Sequence, residues 1–178
     1  MGHHATYARR GGVQGQASGT PVWTAVGPET GTTDLPNAVD RWFLTLVIPE
    51  ATCTASRSVV KSLRKTNSPG LVRWEIWSDD GAGPLELISQ GPPQDAGIWV
   101  TPARLHWSSF TPITMLAGSR YWHGLHLLAP PAGAILTIRS QGSALPPAFR
   151  NVKSSDGLTW ERLNDNFSHF SSLYGSTA

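Results

Sequence analysis

The sequence predicts an all-β protein: an antiparallel β-sandwich of the jelly-roll type over residues 21–178, preceded by a flexible N-terminal arm over residues 1–20. Three observations favour this class. Short apolar runs recur along the chain, 18 glycines and 14 prolines punctuate it, and no run shows the spacing of an amphipathic helix. A length of 178 residues is sufficient for one domain with a sizeable core.

The arm combines five glycines and small polar residues with the pair Arg9-Arg10, and it has no hydrophobic periodicity. By itself such a segment is expected to be disordered. In an assembly it could become ordered across a neighbouring subunit, which is a common use of basic arms. We therefore expect Arg9 and Arg10 to contact a partner, with a frayed terminus as the alternative.

Strand-length runs follow from Pro21 onward, and their regular spacing with turns between them is typical of sandwiches and barrels. The run at 41–48 is apolar on both faces, which indicates a central strand. The run at 98–107 is expected to be one interrupted strand, with Pro102 marking a bulge or an edge. The predicted strands are 22–26, 41–48, 58–65, 71–77, 85–90, 98–107, 120–128, 135–139, 158–163 and 168–174.

The run LVRWEIW at 71–77 alternates most regularly. Its Val, Trp and Ile share one face, which is expected to be buried. Glu75 lies on the opposite, polar face, where it is predicted to be solvated or to pair across strands. Trp77 falls on that polar face too, and it is therefore a candidate exposed ring.

Two groups of possible metal ligands are present. His123 and His126 form an H-x-x-H pair, but residues three apart point to opposite faces of a strand. Asp79 and Asp80 precede Gly81 without the spacing of a calcium-binding loop, so a turn is favoured over a calcium site. No metal site and no cofactor are predicted.

The order of four short segments resembles a known family. Residues 110–122 (FTPITMLAGSRYW) resemble the F-x-P…L-x-x-G-T-x-Y-W stretch of jelly-roll "choice-of-anchor" β-sandwich domains, which occur in bacterial surface proteins and in phage tail or virion proteins; Ser119 replaces the usual Thr. Residues 72–77, 98–99 and 155–160 fit the remaining pieces in order, so the resemblance extends over residues 40–172.

This resemblance implies a non-catalytic sandwich used for attachment or assembly, and it transfers no catalytic or ligand residues. We expect a structural protein of a phage particle: a head decoration, tail or fibre component. It would be made in the host cytoplasm, since no signal peptide is seen, and would end up in the virion. Its partners would be other virion proteins and copies of itself, because particle proteins are used in symmetric copies.

The alternative is a carbohydrate-binding module for glycans on the host surface. The chain has 8 tryptophans, and an exposed indole can stack on the apolar face of a sugar. Trp77 is the first candidate, followed by Trp99 and Trp107. The competing interpretation for each ring is burial in the core or against another subunit.

Other classes are disfavoured. The G-x-S-x-G motif of serine hydrolases is missing and no carboxylate pair is nominated for glycoside hydrolysis, so no enzyme is predicted. The 14 basic residues are scattered and the net charge is only +2, which argues against nucleic-acid binding. The apolar runs are too short to span a membrane. Cys53, the single cysteine, cannot form an intrachain disulfide.

Overall fold

A computed structural model describes residues 20–24, 31–36, 42–66, 70–99, 104–128, 135–142, 151–163, 167–169 and 171–177. Its strands form two antiparallel sheets of seven strands each, so the predicted all-β sandwich is confirmed. The strands are β1 (Thr20–Thr24), β2 (Gly31–Pro36), β3 (Trp42–Val47), β4 (Cys53–Thr66), β5 (Leu71–Asp79), β6 (Pro84–Gln90), β7 (Gln94–Asp95), β8 (Arg104–Met115), β9 (Tyr121–Leu128), β10 (Ile135–Gly142), β11 (Asn151–Ser154), β12 (Glu161–Leu163), β13 (Phe167–His169) and β14 (Ser171–Thr177).

Sheet A is organised around the long strand β4. That strand pairs with β8 along one side and with β14 and then β10 along the other; β1 extends from β14, while β2 and β13 pair with β10. Sheet B has the order β12-β11-β3-β9-β5-β6, with β7 also pairing with β5. The predicted arm, including Arg9 and Arg10, lies outside the described residues except for Thr20, which begins β1.

The predicted central strand and the predicted alternating strand are both confirmed. Every side chain of β3 from Phe43 to Val47 is buried, because the strand lies inside sheet B between β9 and β11. On β5, Val72, Trp74 and Ile76 are buried and face the interior. They belong to two apolar clusters, one around Trp74 and one around Met115.

The interrupted strand predicted over 98–107 is confirmed only at residues 104–107, which begin strand β8. Residues Ala96–Ile98 form a single 3-10 turn, which Asp95 caps by accepting a hydrogen bond from the Gly97 N–H. Strand β8 instead continues through Phe110 to Met115. Its pairing register with β4 shifts between Ser109 and Ile113, so Pro112 lies in an irregularity where its missing N–H is tolerated. Pro102 lies outside the described residues.

Three strands were not predicted from the sequence: β2, β11 and the two-residue strand β7. Strand β2 begins at Gly31, contains Asp34 and ends at Pro36, and β11 has only four residues. Neither carries the apolar alternation used to find strands. Both are specified by their partners: β2 pairs with β10 over six residues, and β11 pairs with β3 over four.

Candidate functional site

The outer face of sheet B carries a row of polar and aromatic side chains. Arg73, Glu75 and Trp77 alternate along β5, and their cross-strand neighbours on β9 include His126 and Trp122. Next to His126, on the far side of β9, lies Trp42 of β3. The register of three adjacent strands therefore brings one carboxylate, two cationic or ionisable groups and several indoles to one patch.

Glu75 is the centre of this patch. Its Oε2 accepts hydrogen bonds from the indole N–H groups of Trp42 at 3.0 Å and Trp77 at 2.9 Å. Its Oε1 accepts from Arg73 Nε at 2.9 Å and Nη2 at 2.6 Å, and lies 2.8 Å from His126 Nδ1. Both oxygens of the carboxylate are thus engaged, although its side chain is 0% exposed.

The pKa of Glu75 reflects these contacts. Burial alone would raise the pKa of this carboxyl, but the hydrogen bond and charge of His126, with further hydrogen bonds from Arg73 and Trp77, bring it below its ordinary value of 4.5. The group is therefore ionised at neutral pH. Of the two alternatives predicted for Glu75, pairing across strands is confirmed by its contacts with His126 and Trp42, and solvation is not found because the polar face of β5 is itself covered.

The cover is the turn at residues 154–160, which lies across the outer face of sheet B. Gly157, at φ +74°, sits so close to the Trp42 ring that an added Cβ would lie 3.1 Å from it. Trp160 meets Trp77 edge-on, with ring centroids 5.4 Å apart. Beneath them a third apolar cluster comprises Leu44, Leu46, Trp122 and Val152. Sheet B consequently has a small second core on its outward side.

Asp156 fixes the shape of this turn. Its Oδ1 accepts hydrogen bonds from the N–H groups of Thr159 and Leu158, each at 2.8 Å, and from Ser154 Oγ at 3.0 Å. These donors, the Thr159 N–H foremost, lower the pKa of Asp156 to about 2. The segment thus has a defined conformation, which explains how Trp160 is positioned over Trp77.

A neighbouring turn at residues 80–83 completes this corner. Asp80 accepts hydrogen bonds from the N–H groups of Ala82 and Gly83, as the turn interpretation of Asp79-Asp80 predicts. Gly83 approaches the Trp160 side chain, and Arg162 Nη2 donates to the Ala82 carbonyl at 3.3 Å. We call the exposed residues of segments 79–86 and 153–162 the two-loop surface.

A second polar cluster lies between the sheets. Ser58 of β4 and His123 of β9 approach to 2.6 Å between Oγ and Nε2, and Thr45 donates to Asn151 Oδ1 at 2.6 Å. All four residues are fully buried. A serine beside a histidine has the composition of a nucleophile and base, but a substrate has no access to this pair, so its role is to join the two layers.

His123 and His126 lie on opposite faces of β9, as the alternation predicted. His123 reaches sheet A, whereas His126 meets Glu75 and stacks on Trp42 with centroids 3.8 Å apart. Within the described ranges, no group of three or more His, Cys, Asp and Glu side chains is arranged to hold a metal ion.

The three predicted stacking tryptophans lie in three different places. Trp77 is half-buried on the outer face of sheet B, and its N–H is turned inward to Glu75. Trp107 is half-buried on the outer face of sheet A, edge-on to Tyr174 with centroids 4.8 Å apart. Trp99 is only 6% exposed and stacks on His106, which corresponds to the competing interpretation of a ring buried in the core.

Sequence reasoning missed the residues that organise the outer face: Trp42, His126 and Trp160. One indication was present, since a buried indole N–H usually requires an acceptor. Two acidic residues of β5 supply these acceptors. Glu75 accepts the indole N–H groups of Trp42 and Trp77, and Asp79 Oδ2 accepts that of Trp122 at 2.6 Å.

No family model matches this chain, and no curated protein or solved structure matches it either. None of the described segments forms a helix with the length and apolarity that crossing a bilayer requires. The resemblance to choice-of-anchor domains therefore stays a prediction.

Proposed function

We propose that this protein is a non-catalytic structural component of a phage particle, acting through protein–protein contacts of its loops. The observation that supports the proposal is a division of roles between buried and exposed groups. The reactive side chains described above are held in internal networks, while large apolar side chains are displayed at or beside turns: Leu158 is 84% exposed and Leu85 is 62% exposed.

This division is what an assembly module requires. Ser58 and His123 join the sheets, and Glu75 holds the outer face of sheet B, so these groups stabilise the scaffold. Covering an exposed leucine by a neighbouring protein lowers the free energy of the assembly. In the proposed function the head, tail or fibre contacts are made by such loops, and the partners are other particle proteins and further copies of the chain.

The direct test is to determine whether purified phage particles contain this protein. Phage particles purified from a culture that carries the coding sequence should contain the protein in a fixed ratio to the major capsid or tail protein, by mass spectrometry. Antibody labelling in the electron microscope should place it at a defined position. Purified particles that lack the protein would refute the proposal.

A second candidate, glycan binding, is favoured by one observation: the Trp77 ring is fixed from below by Glu75 and flanked by Trp160. A preorganised indole loses little entropy when a sugar stacks on it. Trp160→Ala should then abolish binding on a glycan array, while Trp107→Ala on the other sheet should leave it unchanged. Trp77→Ala is a weaker test, because it also removes a donor to a buried carboxylate. No binding by the unmodified chain would end this candidate.

A further inference from the structure

The two-loop surface presents apolar groups that no part of the described chain covers. Leu158 is 84% exposed and Leu85 is 62% exposed. The half-buried Trp160, two residues after Leu158, belongs to the same surface, and its Cβ would lie 3.8 Å from a Cβ added to Gly83, two residues before Leu85. A single exposed leucine is ordinary, but two beside an indole form a patch of the kind that marks an interaction site.

The same surface has an excess of negative charge. The surface carries four exposed carboxylates (Asp80, Glu86, Asp156 and Glu161) and two cations, a net charge of −2 in a chain whose total is +2. Asp79 is not counted, because its side chain is 1% exposed and pairs with Arg120. Asp80 and Asp156 are exposed, and the Glu161 side chain is 71% exposed. Of the two cations, Lys153 already pairs with Glu161 at 3.3 Å. The partner that fits is a segment with positive charge and some apolar or aromatic content.

Residues 1–19 of the chain have this chemistry. They contain Arg9 and Arg10, no aspartate or glutamate, and Tyr7 two residues before Arg9. We propose that the two-loop surface binds residues 1–19 of a neighbouring copy of this chain, so that each copy donates its N-terminal segment to the next. The proposal rests on the proposed function, since it names one of the contacts by which copies assemble.

The expected contacts follow from side-chain chemistry. The guanidinium groups of Arg9 and Arg10 suit carboxylates such as Asp156 and Glu161, to which arginine bonds in a bidentate manner, and they can also stack on Trp160. Tyr7 would cover a leucine. Nineteen residues before β1 reach at most about 60 Å when extended, which is sufficient to cross from one small domain to the next.

The test uses the full-length chain and two classes of variant. Arg9→Glu combined with Arg10→Glu reverses the charge of the N-terminal segment. Leu158→Asp places a carboxylate on the two-loop surface at a side chain that is 84% exposed. Ile98→Asp is the matched control: Ile98 is also exposed, but it lies beside the start of β5, about 30 Å from the two-loop surface at the strand's other end. Sedimentation equilibrium measures the self-association constant of each.

Both classes of variant should weaken self-association about tenfold or more, and Ile98→Asp should not. Adding Glu86→Lys and Glu161→Lys to the arginine variant reverses the charge of the two-loop surface as well as that of the segment, and this should restore association. An equimolar mixture of the arginine variant and Leu158→Asp should form heterodimers, because each supplies the half that the other lacks. Chains that associate with unchanged affinity in both classes, or a mixture that stays monomeric, would overturn the proposal.

These outcomes are separable from those of the proposed function. A protein that is found in particles, but whose association ignores Arg9, Arg10 and Leu158, remains a structural component with a different contact. A protein that is absent from particles fails the proposed function, whatever its sedimentation shows.

Discussion

Replacing Glu75 by glutamine measures how much the buried carboxylate stabilises the outer face of sheet B. Glutamine keeps the shape of the side chain but offers one acceptor oxygen instead of two. If its NH2 group replaces Oε2, the indoles of Trp42 and Trp77 lose their acceptor; if it replaces Oε1, Arg73 and His126 do. At least two donors are left without an acceptor in either orientation.

The expected loss of stability follows from the number of donors that are left without an acceptor. Each buried donor left unsatisfied costs about 1–3 kcal/mol, and removal of one partner from a buried ionic network costs about 3–5 kcal/mol. Because the Arg73 side chain is 22% exposed and can recover part of its hydration, a value near the lower end is expected. We expect Glu75→Gln to lower the free energy of unfolding by about 3 kcal/mol and the melting temperature by roughly 6–12 °C.

The assay is urea unfolding at neutral pH, followed by tryptophan fluorescence, with Glu161→Gln as the control. Glu161 makes an exposed ion pair with Lys153, which is worth at most about 1 kcal/mol. If Glu75→Gln is no more destabilising than Glu161→Gln, Glu75 does not organise the outer face.

The stability difference between the unmodified chain and Glu75→Gln is also expected to depend on pH. The pKa of Glu75 is below 4.5 in the folded protein, so its contribution is fully present above that value and is lost as the pH falls through the folded-state pKa. The stability difference between the unmodified chain and Glu75→Gln should therefore be constant near neutral pH and shrink below about pH 4.5. A difference that grows on acidification would contradict the assigned direction.

Three further predictions concern the interior. Ser58→Ala should cost about 1–3 kcal/mol in urea unfolding, since it removes the partner that His123 Nε2 has on sheet A; a neutral effect would show that this bond does not join the layers. Cys53 is buried, which raises the pKa of its thiol, so a thiol reagent should label the native protein far more slowly than the urea-unfolded one, and equal rates would contradict its burial. Gly124→Ala should lower stability by roughly 3 kcal/mol or more, because the new methyl group would overlap the Phe43 carbonyl oxygen; an unchanged melting temperature by circular dichroism would refute this packing.

The sequence was sufficient to predict which side of β5 faces the core. Alternation with period two is a local property, and Val72, Trp74 and Ile76 are buried as that pattern requires. The opposite faces of His123 and His126 followed for the same reason. Alternation cannot predict whether the other face of the strand is exposed or covered, because the strand's own sequence does not specify which distant segment packs across it.

Glu75 and Trp99 show this limit. The turn that covers the outer face of sheet B begins about eighty residues after Glu75 in the chain, and its contact with Trp42 depends on Gly157 fitting against the ring. Trp99 follows a 3-10 turn, and its ring stacks on His106 of strand β8. Both outcomes depend on long-range packing, so neither could be derived from spacing.

The proposed division of roles, with ionisable groups inside and loop contacts outside, is tested most directly by the mass of the unmodified chain in solution. Sedimentation equilibrium over a wide range of protein concentration should show a mass that rises above the 19.2 kDa of one chain and falls back toward it at high salt. A mass of 19.2 kDa at every concentration and ionic strength would contradict self-assembly through these loops.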